Sequence, residues 1–172
     1  MNYFGKLVTI KLHTLTRKTK IILSILVVLA VLMLIAVNFI NSEVYSLKYG
    51  NPIRQVYLKN ITVKAEIMQT PEKIVSGLAG RPSLAFGKGM LFVMPQDKLQ
   101  QFWMRGMRFS IDIIWIDKWK IIGCERNISA DDPRIFTSPG FAGMVLEVPA
   151  GFCDQTGVQL NDKVGLQGGW SQ

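Results

Sequence analysis

One carboxylate stands inside a long apolar and aromatic stretch, residues 101–117, which reads QFWMRGMRFSIDIIWID. Asp112 is surrounded there by residue types that favour a buried strand. Burying an unpaired charge costs several kcal/mol, so the carboxylate should meet a cation or several N–H donors. Arg81, Arg105 and Arg108 are the candidate cations, since arginine can grip a carboxylate through two parallel bonds, and Arg81 is preferred for its place just after a predicted short helix.

Two interpretations of Asp112 remain open. Strand periodicity of two places it on one face with Ile114 and Ile116, opposite Ile111, Ile113 and Trp115. The simpler interpretation is a structural ion pair that fixes the register of the strand. The alternative is a ligand site in which Arg81 and Asp112 face a cleft beside Trp103.

Three further residues complete the candidate ligand-binding set of Arg81, Trp103, Arg105, Asp112 and Glu147. An exposed Trp103 beside Arg105 would suit a sugar ring or a peptide. Glu147, in the predicted strand MVLEVP, would pair with a basic residue of a neighbouring strand. It could instead form a catalytic pair with Asp112, since glycoside hydrolysis needs two opposed carboxylates.

Other catalytic chemistry is poorly supported. The single histidine, His13, lies in the N-terminal segment, and the usual zinc sites need several His or Cys ligands. Asp131 and Asp132 suit a turn better than a calcium site. No metal or cofactor is predicted, and a protein that is not an enzyme is favoured.

The two cysteines, Cys124 and Cys153, form an even pair. In an exported domain a disulfide between them is allowed. A small buried thiol at Cys124 is the equal alternative.

The elements that would position these residues are short. Six or seven strands are predicted, among them 61–68, 89–94 (ended by Pro95), 101–105, 109–117, 118–128 and 144–149. Thr70 and Pro71 mark the start of a short helix that Gly80 would stop. Residues 131–143 carry loop-forming types. The pattern predicts an α+β, mainly β domain, a compact sandwich or barrel with one or two short helices.

An apolar segment precedes this domain. Residues 21–40 contain no charge and would span about 30 Å as a helix, the thickness of a bilayer core. Five Lys or Arg and no acid lie in residues 1–20, which predicts a cytoplasmic N-terminus and an extracytoplasmic C-terminal domain. A cleaved signal peptide is the alternative, although its apolar core is usually shorter.

The predicted organisation is a basic leader (1–20), a single transmembrane helix (21–40), a tether (41–60), a globular domain (61–166) and a tail (167–172). The net charge of +8 comes mostly from the leader. Because that charge does not cluster on the folded part, nucleic-acid binding is not predicted. The lipid bilayer is the predicted partner of residues 21–40.

Four segments carry a resemblance to a known family: TPEKIVSGLAGRPSL, GMLFVM, FWMRGMRFSIDIIWID and MVLEVPAGF with GVQLNDKV. Over about residues 61–166 the chain resembles the domain of unknown function 192 family. The resemblance implies a jelly-roll-like β-sandwich and no established activity. Family members usually have Asn-Thr where this chain has Gly106-Met107, and Pro at Ser110, so a site built on those residues would be altered here.

These observations favour a membrane-anchored, extracytoplasmic module that binds an envelope polymer, a peptide or a protein. The alternative is a hydrolase that uses Asp112 and Glu147.

Overall fold

The computed structural model describes residues 16–48 and 50–169, without the side chains of residues 38–48. Most of the basic leader, including His13, and residues 170–172 lie outside the described residues. The chain divides into two compact units, Met1–Tyr45 and Ser46–Gln172, which are treated separately below.

The first unit is dominated by helix α1, Arg17–Lys48, which extends into the second unit. Its segment Arg17–Val37 is long and apolar enough to cross a membrane, and none of it is buried among the described residues. A membrane anchor and a signal sequence both have these properties.

The second unit contains seven strands and two short helices. In chain order they are β1 (Ile53–Leu58), β2 (Ile61–Met68), α2 (Pro71–Ser76), β3 (Lys88–Trp103), β4 (Ile111–Asp117), β5 (Lys120–Ile128), β6 (Ile135–Pro149), α3 (Phe152–Thr156) and β7 (Val164–Leu166). The α+β, mainly β class predicted from the sequence is confirmed. Residues 53–58, which the sequence analysis assigned to the tether, form β1.

The strands belong to one curled sheet in the order β5-β4-β6-β3-β2-β1-β7. Neighbours are antiparallel except β2 and β3, which are parallel and joined through α2. The curl brings the two edges together at one end, where the Ile121 N–H donates to the Asp162 carbonyl at 3.0 Å and the Val164 N–H to the Trp119 carbonyl at 2.8 Å.

Two strands are longer than the sequence predicted. β3 passes through Pro95 without ending, because a register shift between Val93 and Lys98 takes the proline out of the hydrogen-bonded ladder. Residues 135–143, predicted as loop, are the first half of β6. A second register shift, between Leu99 and Gln101 of β3, lies opposite this half of β6.

Two core clusters lie on opposite faces of this sheet, and alternate residues of the central strands supply them. On β4, Ile114 and Ile116 pack into the first cluster, with β1, β7 and α3. Ile111, Ile113 and Trp115 pack into the second, beneath α2. The face assignment predicted from the period-two pattern is therefore confirmed.

Candidate functional site

Arg81 reaches the sheet through a short helix and a turn. Thr70 caps α2 by accepting the Lys73 N–H, and Gly77 ends the helix, three residues before the predicted stop. The Gly80 N–H donates to the Gly106 carbonyl at 2.8 Å. This bond ties the turn after α2 to the turn after β3.

Arg81 forms a buried ion pair with Glu66 of β2. Its Nη1 donates to Glu66 Oε1, and its Nη2 donates to Oε2 at 2.7 Å, while Asn51 Nδ2 donates to the same Oε2 at 2.9 Å. Both side chains are buried. The predicted pairing of Arg81 with Asp112 is wrong, because the two residues lie on opposite faces of the sheet.

Asp112 is held by backbone N–H groups instead of a cation. Its Oδ1 accepts from Asn127 at 2.7 Å and from Gly151 at 3.2 Å, and its Oδ2 accepts from Cys153 at 2.8 Å. Gly151 occupies the N-cap position of α3 and has no side chain to cap it, so Asp112 caps this helix from β4. Three charge-assisted bonds account for a fully buried carboxylate. These bonds agree with the structural interpretation of Asp112, which lines neither of the two clefts described below.

Glu147 lies near the end of β6 with Leu146 and Val148 on either side. Both neighbours pack into the first core cluster, so the Glu147 side chain points to the second face. It is 5% exposed, and its buried Oε2 has no hydrogen-bond partner among the described residues. Burial raises the pKa of Glu147 to about 8, against a smaller lowering by the Arg81 charge. The carboxyl group is therefore mostly protonated at neutral pH.

Glu147 lines a small cleft between α2 and β3, which is called the Glu147 cleft below. Its volume is about 100 Å³. The walls are mainly apolar and are formed by Ile74, Val75, Leu78, Ala79, Phe92, Met94, Phe102, Trp103 and Met107, with Ser76, Gly77, Gln101 and Arg105 completing the lining. Glu147 and Arg105 are the ionisable residues among them.

Trp103 and Arg105 belong to the rim of this cleft. Trp103 is 49% exposed, and its neighbour Phe102 packs into the second core cluster, as expected for residues on opposite faces. Trp103 and Arg105 also line a second, larger groove with Asp131, Asp132 and Ile135. Of the five predicted site residues, the structure thus brings Trp103, Arg105 and Glu147 together at one cleft.

The catalytic pair of Asp112 and Glu147 is not assembled. The two residues are on neighbouring strands, where Asp112 pairs with Val148 and Ile113 with Glu147, so the carboxyl groups point to opposite faces. No group of three or more potential metal ligands occurs among residues 16–48 and 50–169.

Cys124 of β5 and Cys153 of α3 are joined by a disulfide. Of the two alternatives that the sequence left open, the structure has the bonded one. The cross-link and the Asp112 bonds both fix the first turn of α3 to the sheet.

Glu66 was missed in the sequence. The alternation of ITVKAEIM places it with Thr62 and Lys64, both exposed, which predicts a solvent-facing carboxylate. Residues 106–107, which depart from the family pattern, gave a better indication of where the cleft lies. Met107 lines the Glu147 cleft, and Gly106 has a φ of +80° in the adjoining turn, where glycine is favoured.

Comparisons with known proteins agree with the fold. A family model described as "Uncharacterized ACR", the domain of unknown function 192, matches residues 54–166. A protein of unknown function from Novosphingobium aromaticivorans is 24% identical with a TM-score of 0.62, over 67% of this chain and 84% of that chain. A proposed transcription regulator from Sinorhizobium meliloti is 23% identical with a TM-score of 0.64, over 67% of this chain and 95% of that one. At these identities the likeness shows the fold alone. No curated protein matches the sequence.

Proposed function

The chain belongs to the domain of unknown function 192 family, and we propose that this member is a membrane-tethered, extracytoplasmic binding module that holds its ligand in the Glu147 cleft. The ligand belongs to the cell envelope, as part of a polymer, a peptide or a protein. Catalysis is not part of the proposal.

The main supporting observation is that Glu147 lines an apolar cleft and that its buried Oε2 has no hydrogen-bond partner among the described residues. A buried polar atom without a partner costs about 1–3 kcal/mol. Buried polar groups in folded proteins are nearly always satisfied, and each exception calls for an explanation. A ligand group that hydrogen-bonds Glu147 would recover this cost on binding.

The surroundings of Glu147 also suit a binding site. Binding pockets typically combine apolar walls with a few fixed polar groups. Here, apolar side chains of α2 and β3 form the walls, and the half-exposed Trp103 offers a flat apolar surface at the rim.

The tethering part of the proposal rests on α1. Its apolar segment Arg17–Val37 is long enough to span a bilayer. The five basic residues among the first twenty, with no acid, favour retention of that end in the cytoplasm. The disulfide between Cys124 and Cys153 agrees with an oxidising compartment for the folded unit.

The test is a fragment screen against the full chain in detergent micelles, with ¹³C-labelled methionine methyl groups observed by NMR. Met94 and Met107 line the cleft, whereas Met144 packs into the opposite core cluster and Met33 lies in α1. We expect some small fragments to shift the Met94 and Met107 signals and to leave the Met144 and Met33 signals in place.

Two variants complete this experiment. Ser76→Phe places a ring at the lining of the cleft and should abolish the shifts. Ser83→Phe adds the same ring at an exposed position outside the cleft lining and should not. The proposal is overturned if a panel of neutral, anionic and cationic fragments produces no Ser76-sensitive shift.

A further inference from the structure

The charges, volume and hydrogen-bonding groups of the Glu147 cleft limit the class of ligand that it can bind. This inference rests on the function proposed above. Four ionisable groups determine its electrostatics: Glu147 at its wall, Arg105 at its rim, and the Arg81–Glu66 ion pair beside Glu147. The ion pair is neutral overall. With Glu147 protonated, the site carries one net positive charge from Arg105.

The neighbouring groove, which Arg105 also lines, contains two acids, Asp131 and Asp132. Asp132 forms an ion pair with Arg134 at 2.7 Å, and Asp131 accepts a hydrogen bond from Ser129. No histidine occurs in the folded unit. Asp131 keeps its negative charge, since a hydrogen bond from a hydroxyl does not neutralise a carboxylate, but it lines the groove and not the Glu147 cleft. Within the cleft a cationic ligand would meet the like charge of Arg105, whereas an anionic or neutral ligand would not.

Phe92 and Phe102 do not form a cage for a cation, and Trp103 at the rim adds a single half-exposed ring. Cation–π binding requires a cation over the face of a ring. Phe92 and Phe102 pack edge to face with ring centres 5.1 Å apart, and Phe102 packs in the same manner against the buried Trp115 at 5.7 Å. Both rings therefore pack against each other and against core residues.

The protonated carboxyl group of Glu147 is a hydrogen-bond donor, so it needs an acceptor. The cleft is also small. An engineered apolar cavity of about 150 Å³ holds one benzene ring, so about 100 Å³ admits a branched group of roughly five heavy atoms. Such a group combines a short apolar body with one polar end.

From this geometry we propose that the Glu147 cleft binds a short apolar group that ends in a carbonyl oxygen, as a carboxamide or a carboxylate. Glu147 donates the hydrogen bond to that oxygen, the walls of α2 and β3 enclose the apolar body, and Arg105 favours the anionic member of the class. Amines of similar size bind more weakly, because an ammonium group has no acceptor for the Glu147 proton.

Three probes that share an isopropyl body test this inference: isobutyramide, isobutyrate and isobutylamine. They are titrated into the full chain in micelles at pH 6.5 and pH 9.5, with the Met94 and Met107 methyl signals as the readout. At pH 6.5 the amide and the carboxylate should bind, and isobutylamine should bind at least tenfold more weakly. At pH 9.5, the carboxylate should lose at least tenfold in affinity, because Glu147 is then ionised.

Substitutions at Glu147 separate hydrogen bonding from shape. Glu147→Gln retains a donor that does not titrate, so isobutyramide should bind equally at both pH values. Glu147→Met fills a similar volume without a donor and should weaken isobutyramide at least fivefold. Glu125→Gln, a matched change on β5, should behave as the unsubstituted chain does.

The outcomes distinguish this inference from the proposed function. Binding of isobutylamine in preference to the other two probes, or an affinity for isobutyrate that rises with pH, overturns the ligand class but leaves a binding cleft. Absence of Ser76-sensitive shifts with every fragment class overturns both.

Discussion

Glu66 and Glu147 lie in one row across the sheet, on either side of Met90, and both face away from the first core cluster. Glu66 is held by Arg81 and Asn51. Glu147, two strands away, has the Arg81 charge nearby but leaves its buried Oε2 unbonded. Two carboxyl groups in equivalent strand positions thus have different roles, the first in an ion pair and the second as a neutral acid.

Glu147 should make the stability of the folded unit depend on pH. Its pKa rises from 4.5 to about 8 on folding, so the folded state binds the proton more tightly than the unfolded state. The stabilisation is full below pH 4.5 and is lost as pH rises towards 8, at about 1.4 kcal/mol per pH unit. Urea denaturation at intervals from pH 5.5 to 9 measures this slope.

Glu147→Gln should remove most of that slope and be more stable than the unsubstituted chain at pH 9. The absence of histidine from the folded unit leaves few other groups to titrate in this range. An unchanged slope in Glu147→Gln would show that Glu147 is not the group responsible.

Asp112→Asn should destabilise the folded unit by about 3 kcal/mol, because an amide leaves buried N–H donors facing its own NH₂ group. Asp154→Asn is the matched control, since Asp154 lies in α3 but is solvent-exposed and ion-paired with Arg126. Its loss should be much smaller. Equal losses, measured by urea denaturation at pH 7, would contradict the capping role of Asp112.

Arg81→Met should cost about 3–5 kcal/mol, because it leaves Glu66 buried without its cation. The double change Glu66→Leu with Arg81→Met should recover most of this loss, since neither charge then remains buried. Arg81→Met should also raise the pKa of Glu147 further, because Arg81 lowers it. The midpoint of the pH–stability curve reports that change, and a midpoint that stays or falls would be inconsistent with it.

Removal of the disulfide by Cys124→Ala with Cys153→Ala should destabilise the folded unit by about 3–4 kcal/mol, as expected for a cross-link between residues 29 positions apart. Denatured chain purified without reductant should take up no maleimide, and reduced chain should take up two equivalents. Labelling of the unreduced chain would mean that the thiols are free.

Protease added to intact spheroplasts should remove the folded unit and leave α1 with its N-terminal flank in the membrane. A cytoplasmic marker protein should survive the same treatment. Digestion that requires lysis of the cells would place the unit on the cytoplasmic side and contradict the proposed orientation.

The sequence predicted which residues of β4 share a face, because alternation is a local property of a strand. It did not predict the partners of Asp112, since Asn127, Gly151 and Cys153 donate from segments 15 to 41 residues away through main-chain groups that every residue carries. The choice of Arg81 as a carboxylate partner was sound in chemistry. The partner, however, is Glu66 and not Asp112, because the parallel pairing of β2 with β3 brings Glu66 within reach of Arg81.

Only part of the candidate site could be predicted, because it too depends on contacts between segments that are distant in the sequence. Trp103, Arg105 and Glu147 were identified from residue type, and the cleft that joins them depends on where α2 packs over β3. The length of β3 could not be predicted from Pro95, because a proline ends a strand unless a register shift removes it from the ladder. That shift depends on the facing residues of β6.

The two core clusters share three strands, and this limits how the folded unit can open. β3, β4 and β6 each place alternate side chains in both clusters, so neither cluster can separate while the other stays closed. Amide protons at the centre of β4 should exchange with solvent only through complete opening. A ligand at the α2 face would therefore slow exchange around the disulfide on the opposite face, although it touches nothing there.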